Sequence, residues 1–219
     1  MTTPPLDLSS LPLFPLSEVL FPGAVIRLRI FEVRYLDMIK KQHLANLPFG
    51  VVTLKTGSEV AKAPSLNPQQ TPVKDTFFEV GTLAYITQLT SVQAGLLEVI
   101  CEAGERFVVD SSKQIATGLW MGQTFEFAPD IKVKIPSDLQ NISDALQMVV
   151  NKLSQQNQEV NTLPFASPYY FEDCAWVANR WCQFLRIPTE LRQRLMQLDN
   201  PLMRLELVGD LLRRQGIIS

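Results

Sequence analysis

The chain has 219 residues, 46% hydrophobic and 19% charged, a balance that reads as folded protein with ample chain for a core. Lys plus Arg is 20 and Asp plus Glu is 22, and the resulting net charge of -2 argues against a dedicated nucleic-acid binder, which would carry a basic surplus. Cys101, Cys174 and Cys182 make no disulfide framework, the opening MTTPPLDLSS lacks a leader's basic and apolar regions, and no apolar run approaches the roughly 18 residues that span a bilayer, so a cytoplasmic protein away from membranes is expected.

The first ten residues are polar and Pro-containing and are expected to fray. Leu11 to Phe21 is apolar and punctuated by Pro12 and Pro15, which fix φ and bias the preceding residues away from helix, so the segment reads as extended and buried. Pro22-Gly23 predicts a turn. Ala24 to Ile30 alternates, with Ile26, Leu28 and Ile30 opposite Val25, Arg27 and Arg29, the pattern of a half-buried strand. Glu32 to Leu47 then follows helical spacing, with Leu36, Ile39, His43 and Leu47 on one face and Pro48 as its stop.

Phe49 to Leu54 reads as a short buried strand. Lys55 to Thr76 is polar and rich in Pro, Ser, Gln and Lys, and reads as a long loop of the kind found as surface insertions. Further strands are predicted within Phe77 to Leu89, at Leu96 to Glu102 with Leu97, Val99 and Cys101 on one face, at Phe107 to Asp110, and at Leu119 to Phe127 with Phe125 and Phe127 together. A turn falls at Gln93-Ala94-Gly95, and Gly104 is expected to end its strand. Short strands between turns favour an antiparallel barrel or sandwich over βαβ units.

After about Asp130 the period becomes helical. Ser137-Asp138-Leu139-Gln140 fits a capping box ahead of a stripe of Leu139, Ile142, Leu146, Val149 and Leu153. Asn157 to Pro168 is a connector. A helix is expected over Phe171 to Ile187, with Cys174, Ala178, Trp181 and Leu185 on one face, and a further helix starts at Pro188-Thr189. Asn200-Pro201 places a capping residue before Pro at the first helical position, and Gly216 is the expected stop of the last helix. The fold class expected is therefore α+β: residues 1–10 a flexible terminus, 11–130 a β-rich part, and 131–219 a part of four helices packed on it.

The residue patterns of common catalytic and metal sites are missing. The single histidine, His43, lies on its helix's apolar stripe and reads as a half-buried packing residue. Neither CxxC nor HExxH occurs, so no metal or other cofactor is expected, and the cysteines read as small buried hydrophobes. Phosphate-loop and nucleophile-elbow motifs are absent as well. Glu98, Glu102 and Glu105 read as a solvated edge that deters strand pairing. The aromatics Trp120, Tyr169, Tyr170, Phe171, Trp176 and Trp181 offer either a peptide-binding patch of rigid rings or internal packing, with packing favoured for the tryptophans.

Leu11-Pro12-Leu13-Phe14-Pro15-Leu16, Phe21-Pro22-Gly23 and Phe31-Glu32-Val33-Arg34-Tyr35, followed by Phe49-Gly50-Val51-Val52, Gly81-Thr82-Leu83-Ala84 and Gly104-Glu105-Arg106-Phe107, resemble in order the motifs of the Lon protease N-terminal, substrate-binding domain family. The likeness runs from about Leu11 into the C-terminal helices, and Phe31-Glu32-Val33-Arg34-Tyr35 resembles the form seen in stand-alone Lon-domain proteins and in cereblon-like proteins. It implies a PUA-like pseudo-barrel followed by a helical bundle, and a protein that recognises unfolded or exposed polypeptide, a partner protein, a protease or a chaperone. The ATPase and Ser-Lys peptidase modules of a full Lon protease have no counterpart in this sequence, nor have the paired cysteines of cereblon-type zinc binding, so no enzymatic activity is implied. Candidate peptide contacts are Phe21, Arg34, Tyr35, Trp120, Tyr169 and Tyr170, while Pro22, Gly23, Arg34 and Arg106 also have fold-forming explanations. The rival readings are an RNA-binding module using Arg27 and Arg29, and a small hydrolase with an unrecognised site.

Overall fold

The structure, a computed structural model, describes residues 7–56, 76–156 and 163–219. The chain forms two compact units. One comprises the chain up to Leu20 together with Ile26–Phe127; the other comprises Phe21–Val25 and Ala128–Ser219.

The first unit contains β1 (Leu11–Leu16), β2 (Val25–Ile30), α1 (Val33–Ala45), β3 (Phe49–Thr56), β4 (Thr76–Phe77), β5 (Val80–Gln93), β6 (Leu96–Gln114) and β7 (Trp120–Glu126). The sheet order is β1-β7-β6-β5-β3-β4, and β1 also pairs with β3, so five strands return on themselves. The β1–β3 pairing is parallel; β1–β7, β3–β5, β5–β6 and β6–β7 are antiparallel, and β2 joins β6. The alternating residues Leu11 and Leu13 of β1 enclose a core with Val52, Leu83, Phe107, Val109 and Trp120.

The Phe107 ring lies where Gly50 and Gly81 carry no side chain; a Cβ would come within 2.6 Å of its Cζ at Gly50 and 2.5 Å at Gly81. Three buried threonines, Thr53, Thr82 and Thr124, satisfy their hydroxyls by donating to the carbonyls of Glu18, Leu20 and Leu8, tying the N-terminal segment to the strands.

Gly104 does not end its strand. β6 runs through it, because the Tyr85 ring of β5 fills the space beside its Cα: a Cβ there would stand 2.4 Å from Cε2. The Tyr85 hydroxyl donates to Glu105 at 3.1 Å, and partial burial and this carboxylate push its pKa up to about 12.

Helix α1 buries Tyr35, Met38 and Ile39 and ends at Asn46, which takes the left-handed conformation (φ 52). The predicted stripe was displaced at its C-terminal end: His43 and Leu47 are exposed, so His43 is a surface residue and not a half-buried one. The predicted Lys55 to Thr76 loop lies, from residue 57 to 75, outside the described residues.

The second unit contains α2 (Gln140–Gln156), α3 (Cys174–Phe184), α4 (Thr189–Gln197) and α5 (Pro201–Arg214). α3 packs against each of the other three and is buried on nearly every side, from Cys174 through Cys182. It starts three residues later than the periodicity suggests because Asp173 caps it, accepting from the Trp176 amide at 2.8 Å. Asn200 caps α5 as predicted, accepting from the Leu202 and Met203 amides, and Gly216 follows the helix with φ +69.

The capping box at Ser137 is not formed. Ser137–Leu139 is a single 3-10 turn after Pro136, with no side-chain cap bond, and α2 begins at Gln140. Pro22-Gly23 does turn, with Gly23 at φ +74 and the Ala24 amide donating to Phe21. The turn is held inside the helical unit by the buried Arg180 of α3, which donates to the carbonyls of Pro22 and Gly23. Burial lowers the Arg180 pKa to about 9. The two carbonyls, and the Phe165 and Trp176 rings at 5.3 and 5.8 Å, favour the charge that remains at neutral pH.

Candidate functional site

Each unit carries an open cleft of ligand-pocket size. In the first unit a cleft of about 460 Å³ is bounded by α1 and the β6–β7 turn. Met38, Leu47, Ile115, Leu119 and Met121 make its apolar part, and Arg34, Lys41, Asp7 and Asp37 bring two positive and two negative charges. Arg34 organises this wall. Its side chain is only 9% exposed, donates to the Gly118 carbonyl at 2.8 Å, pairs with Glu32 at 3.0 Å and stacks 4.6 Å from the Tyr35 ring. Its buried Nε has no hydrogen-bond partner among the described residues. Asp7 is held below the usual carboxylate range by its hydrogen bonds from Ser9, which makes it a poor proton donor near neutrality.

In the second unit a groove of about 710 Å³ runs along Asp130–Lys134 and past Tyr170, Trp176 and the Pro22-Gly23 turn. Asp130 is locked by Arg204, which donates to both of its carboxylate oxygens (2.7 and 2.8 Å) and also to Asn179, Leu195 and Leu198. The run is fixed on one side by α3's entry: the Ile135 amide donates to Glu172 and the Cys174 amide to Val133. Trp176 belongs to a ring cluster with Phe165, Tyr169 and Phe171.

The candidate contact residues read from the sequence separate in three ways. Phe21, Tyr35 and Trp120 are buried, at 0%, 4% and 6% exposure, and offer no surface to a ligand. Tyr35 packs on the Phe14 ring at 4.4 Å, and Trp120 meets Phe77 edge-on at 5.5 Å. Arg34 lines the cleft of the first unit, whereas Tyr170 lines the groove of the second and Tyr169 packs behind it on Trp176. Sequence reading missed Lys132, Lys134 and Ile131, because an irregular extended run between a strand and a helix has no periodic signature. Of the two arginines proposed for RNA, Arg29 is engaged by Glu98 at 3.1 Å. The three thiols are buried, which pushes Cys101 and Cys182 up to about 12 and Cys174 up to about 11.

A model of the ATP-dependent protease La (LON) substrate-binding domain matches residues 10–214. The chain therefore belongs to that substrate-binding domain family. Among solved structures it is similar to a Lon N-terminal domain protein from Xanthomonas campestris, with 26% identity, a TM-score of 0.67, and 92% of this chain and 97% of that one covered. It shares the fold of the N-terminal domain of Mycobacterium avium complex Lon protease at 12% identity and a TM-score of 0.55, again over 92% and 97% of the two chains. No curated protein sequence matches it. Among the described residues no helix is long and apolar enough to cross a membrane.

Proposed function

We propose that this protein recognises exposed segments of unfolded polypeptide and performs no chemistry on them, and that the cleft of the first unit is a site of contact. The observation that carries the reading is the wall around Arg34. Its lining charges cancel, two against two, over an apolar floor, which suits a neutral amide chain with an apolar side chain better than a phosphate or a lone carboxylate. The Arg34 side chain lines the cleft and brings to its wall a fixed positive charge that favours a peptide carbonyl. Membership of a substrate-binding family supports the same reading.

The test is fluorescence anisotropy with labelled, reduced and carboxymethylated lactalbumin, a permanently unfolded chain. Arg34→Met removes that charge from the wall, and an interaction with a charged group contributes about 1.5–3 kcal/mol, so affinity should fall at least about tenfold. Ile115→Glu, at a half-exposed wall position, should weaken binding similarly while leaving the melting temperature unchanged. Unchanged affinity in both variants would remove the cleft from the account.

A further inference from the structure

Lys134 pairs with Asp173 as an isolated antiparallel bridge. The two hydrogen bonds flanking it, Ile135 to Glu172 and Cys174 to Val133, are those of a non-hydrogen-bonded pair. In such a pair each residue's own N–H and C=O point away from its partner, so those of Lys134 face outward. Among the described residues neither the Lys134 main chain nor that of Lys132, two residues back, makes a hydrogen bond. The groove is lined by five consecutive residues, Asp130 to Lys134, so it follows the backbone and not one side-chain face. Main chain without hydrogen-bond partners beside exposed apolar surface, here Ile131 at 68% and Tyr170 at 43% exposure, is the arrangement that accepts an added strand.

The charges say what kind of strand. Of the three carboxylates lining the groove, Asp130 is taken by Arg204 and Asp173 by the cap of α3, which leaves the exposed Glu172 against two exposed lysines, Lys132 and Lys134, that have no ion pair among the described residues, a net positive charge. We propose that the second unit binds an extended polypeptide segment of alternating acidic and apolar residues, which adds as a strand along Ile131–Lys134. Its main chain pairs with Lys132 and Lys134, its carboxylates meet their ammonium groups, and its apolar side chains rest on Tyr170 and Trp176. The inference rests on the polypeptide-recognition reading and adds to it a second site with its own sequence preference.

The probe is a fluorescent, end-blocked hexapeptide of alternating Glu and Leu, titrated against the full chain by anisotropy with Trp176 emission as a second readout. Two forms N-methylated on alternate residues block one backbone edge each. Strand addition predicts that one form loses about tenfold or more in affinity while the other binds as the parent does. Lys132→Glu with Lys134→Glu, both at the surface, should weaken the parent peptide by a similar factor and improve binding of an alternating Lys-Leu peptide. Equal binding of the two methylated forms, or indifference to the double reversal, overturns the proposal. If the hexapeptide fails to bind while unfolded lactalbumin still binds through Arg34, this site is wrong and the recognition reading stands; if neither binds, both fall.

Discussion

A Cβ on Gly81 would stand 2.4 Å from the Val51 carbonyl oxygen and 2.5 Å from Phe107 Cζ. One neighbour is backbone and the other a core ring, so neither can yield. Gly81→Ala should therefore cost about 3 kcal/mol, at the upper end of overpacking, read as the shift in a urea unfolding midpoint. Gly95, at φ +78 with nothing within 4 Å, is the control; its alanine variant carries only the left-handed backbone cost of about 1–2 kcal/mol. The sequence shows these glycines as punctuation. What they are for depends on which ring from another strand reaches them, and that ring, Phe107 for Gly81 and Tyr85 for Gly104, lies far along the chain on the partner strand. The same limit explains Phe21, Tyr35 and Trp120. An aromatic residue in a sequence advertises contact area, but its burial is set by tertiary packing that composition does not record.

At the level of elements, most boundaries were legible because their signals are local. Asn200-Pro201 and Pro188-Thr189 mark helix starts within a residue or two, and the alternation of Leu97, Val99 and Cys101 is a buried strand face. The misses came where one local signal outweighs another: Asp173, which caps the Trp176 amide three residues on, sets the start of α3, and Ser137 enters a 3-10 turn after Pro136 without capping α2. Two interior arginines were not legible at all. Arg180 and Arg204 sit on helices whose patterns leave them among polar positions, yet they are 0% and 1% exposed. Arg204 ties α5 to Asp130, to Asn179 of α3 and to the end of α4. Asp130→Asn leaves that guanidinium without its charge partner and should cost about 3–5 kcal/mol, visible as an earlier unfolding transition by circular dichroism. A loss below about 1 kcal/mol would place the pair among surface ion pairs, where its 1% and 14% side-chain exposures say it does not belong.

Across the whole molecule, the chain returns on itself in an informative way. Phe21–Val25 belongs to the helical unit although the residues on both sides of it belong to the strand unit. Arg180 grips this segment by its Pro22 and Gly23 carbonyls, and the Val25 amide reaches Pro164 at 2.7 Å. The Pro-Gly motif that signalled the family thus has a fold-forming reason in the second unit, and Arg106, buried and stacked 4.2 Å from the Phe127 ring, has one in the first. The α+β class and the family were legible because motif order survives where individual contacts do not; the clefts were not, since each gathers residues from three or more separate stretches.

The central claim is recognition of polypeptide by its unfolded state. The most direct measurement is the affinity of the full-length protein for reduced, carboxymethylated lactalbumin against native, disulfide-intact lactalbumin, both labelled and titrated under the same conditions. Recognition of the unfolded state predicts saturable binding of the unfolded form and affinity at least about tenfold weaker for the native one. Equal affinity for the two, or none for the unfolded chain, would contradict it.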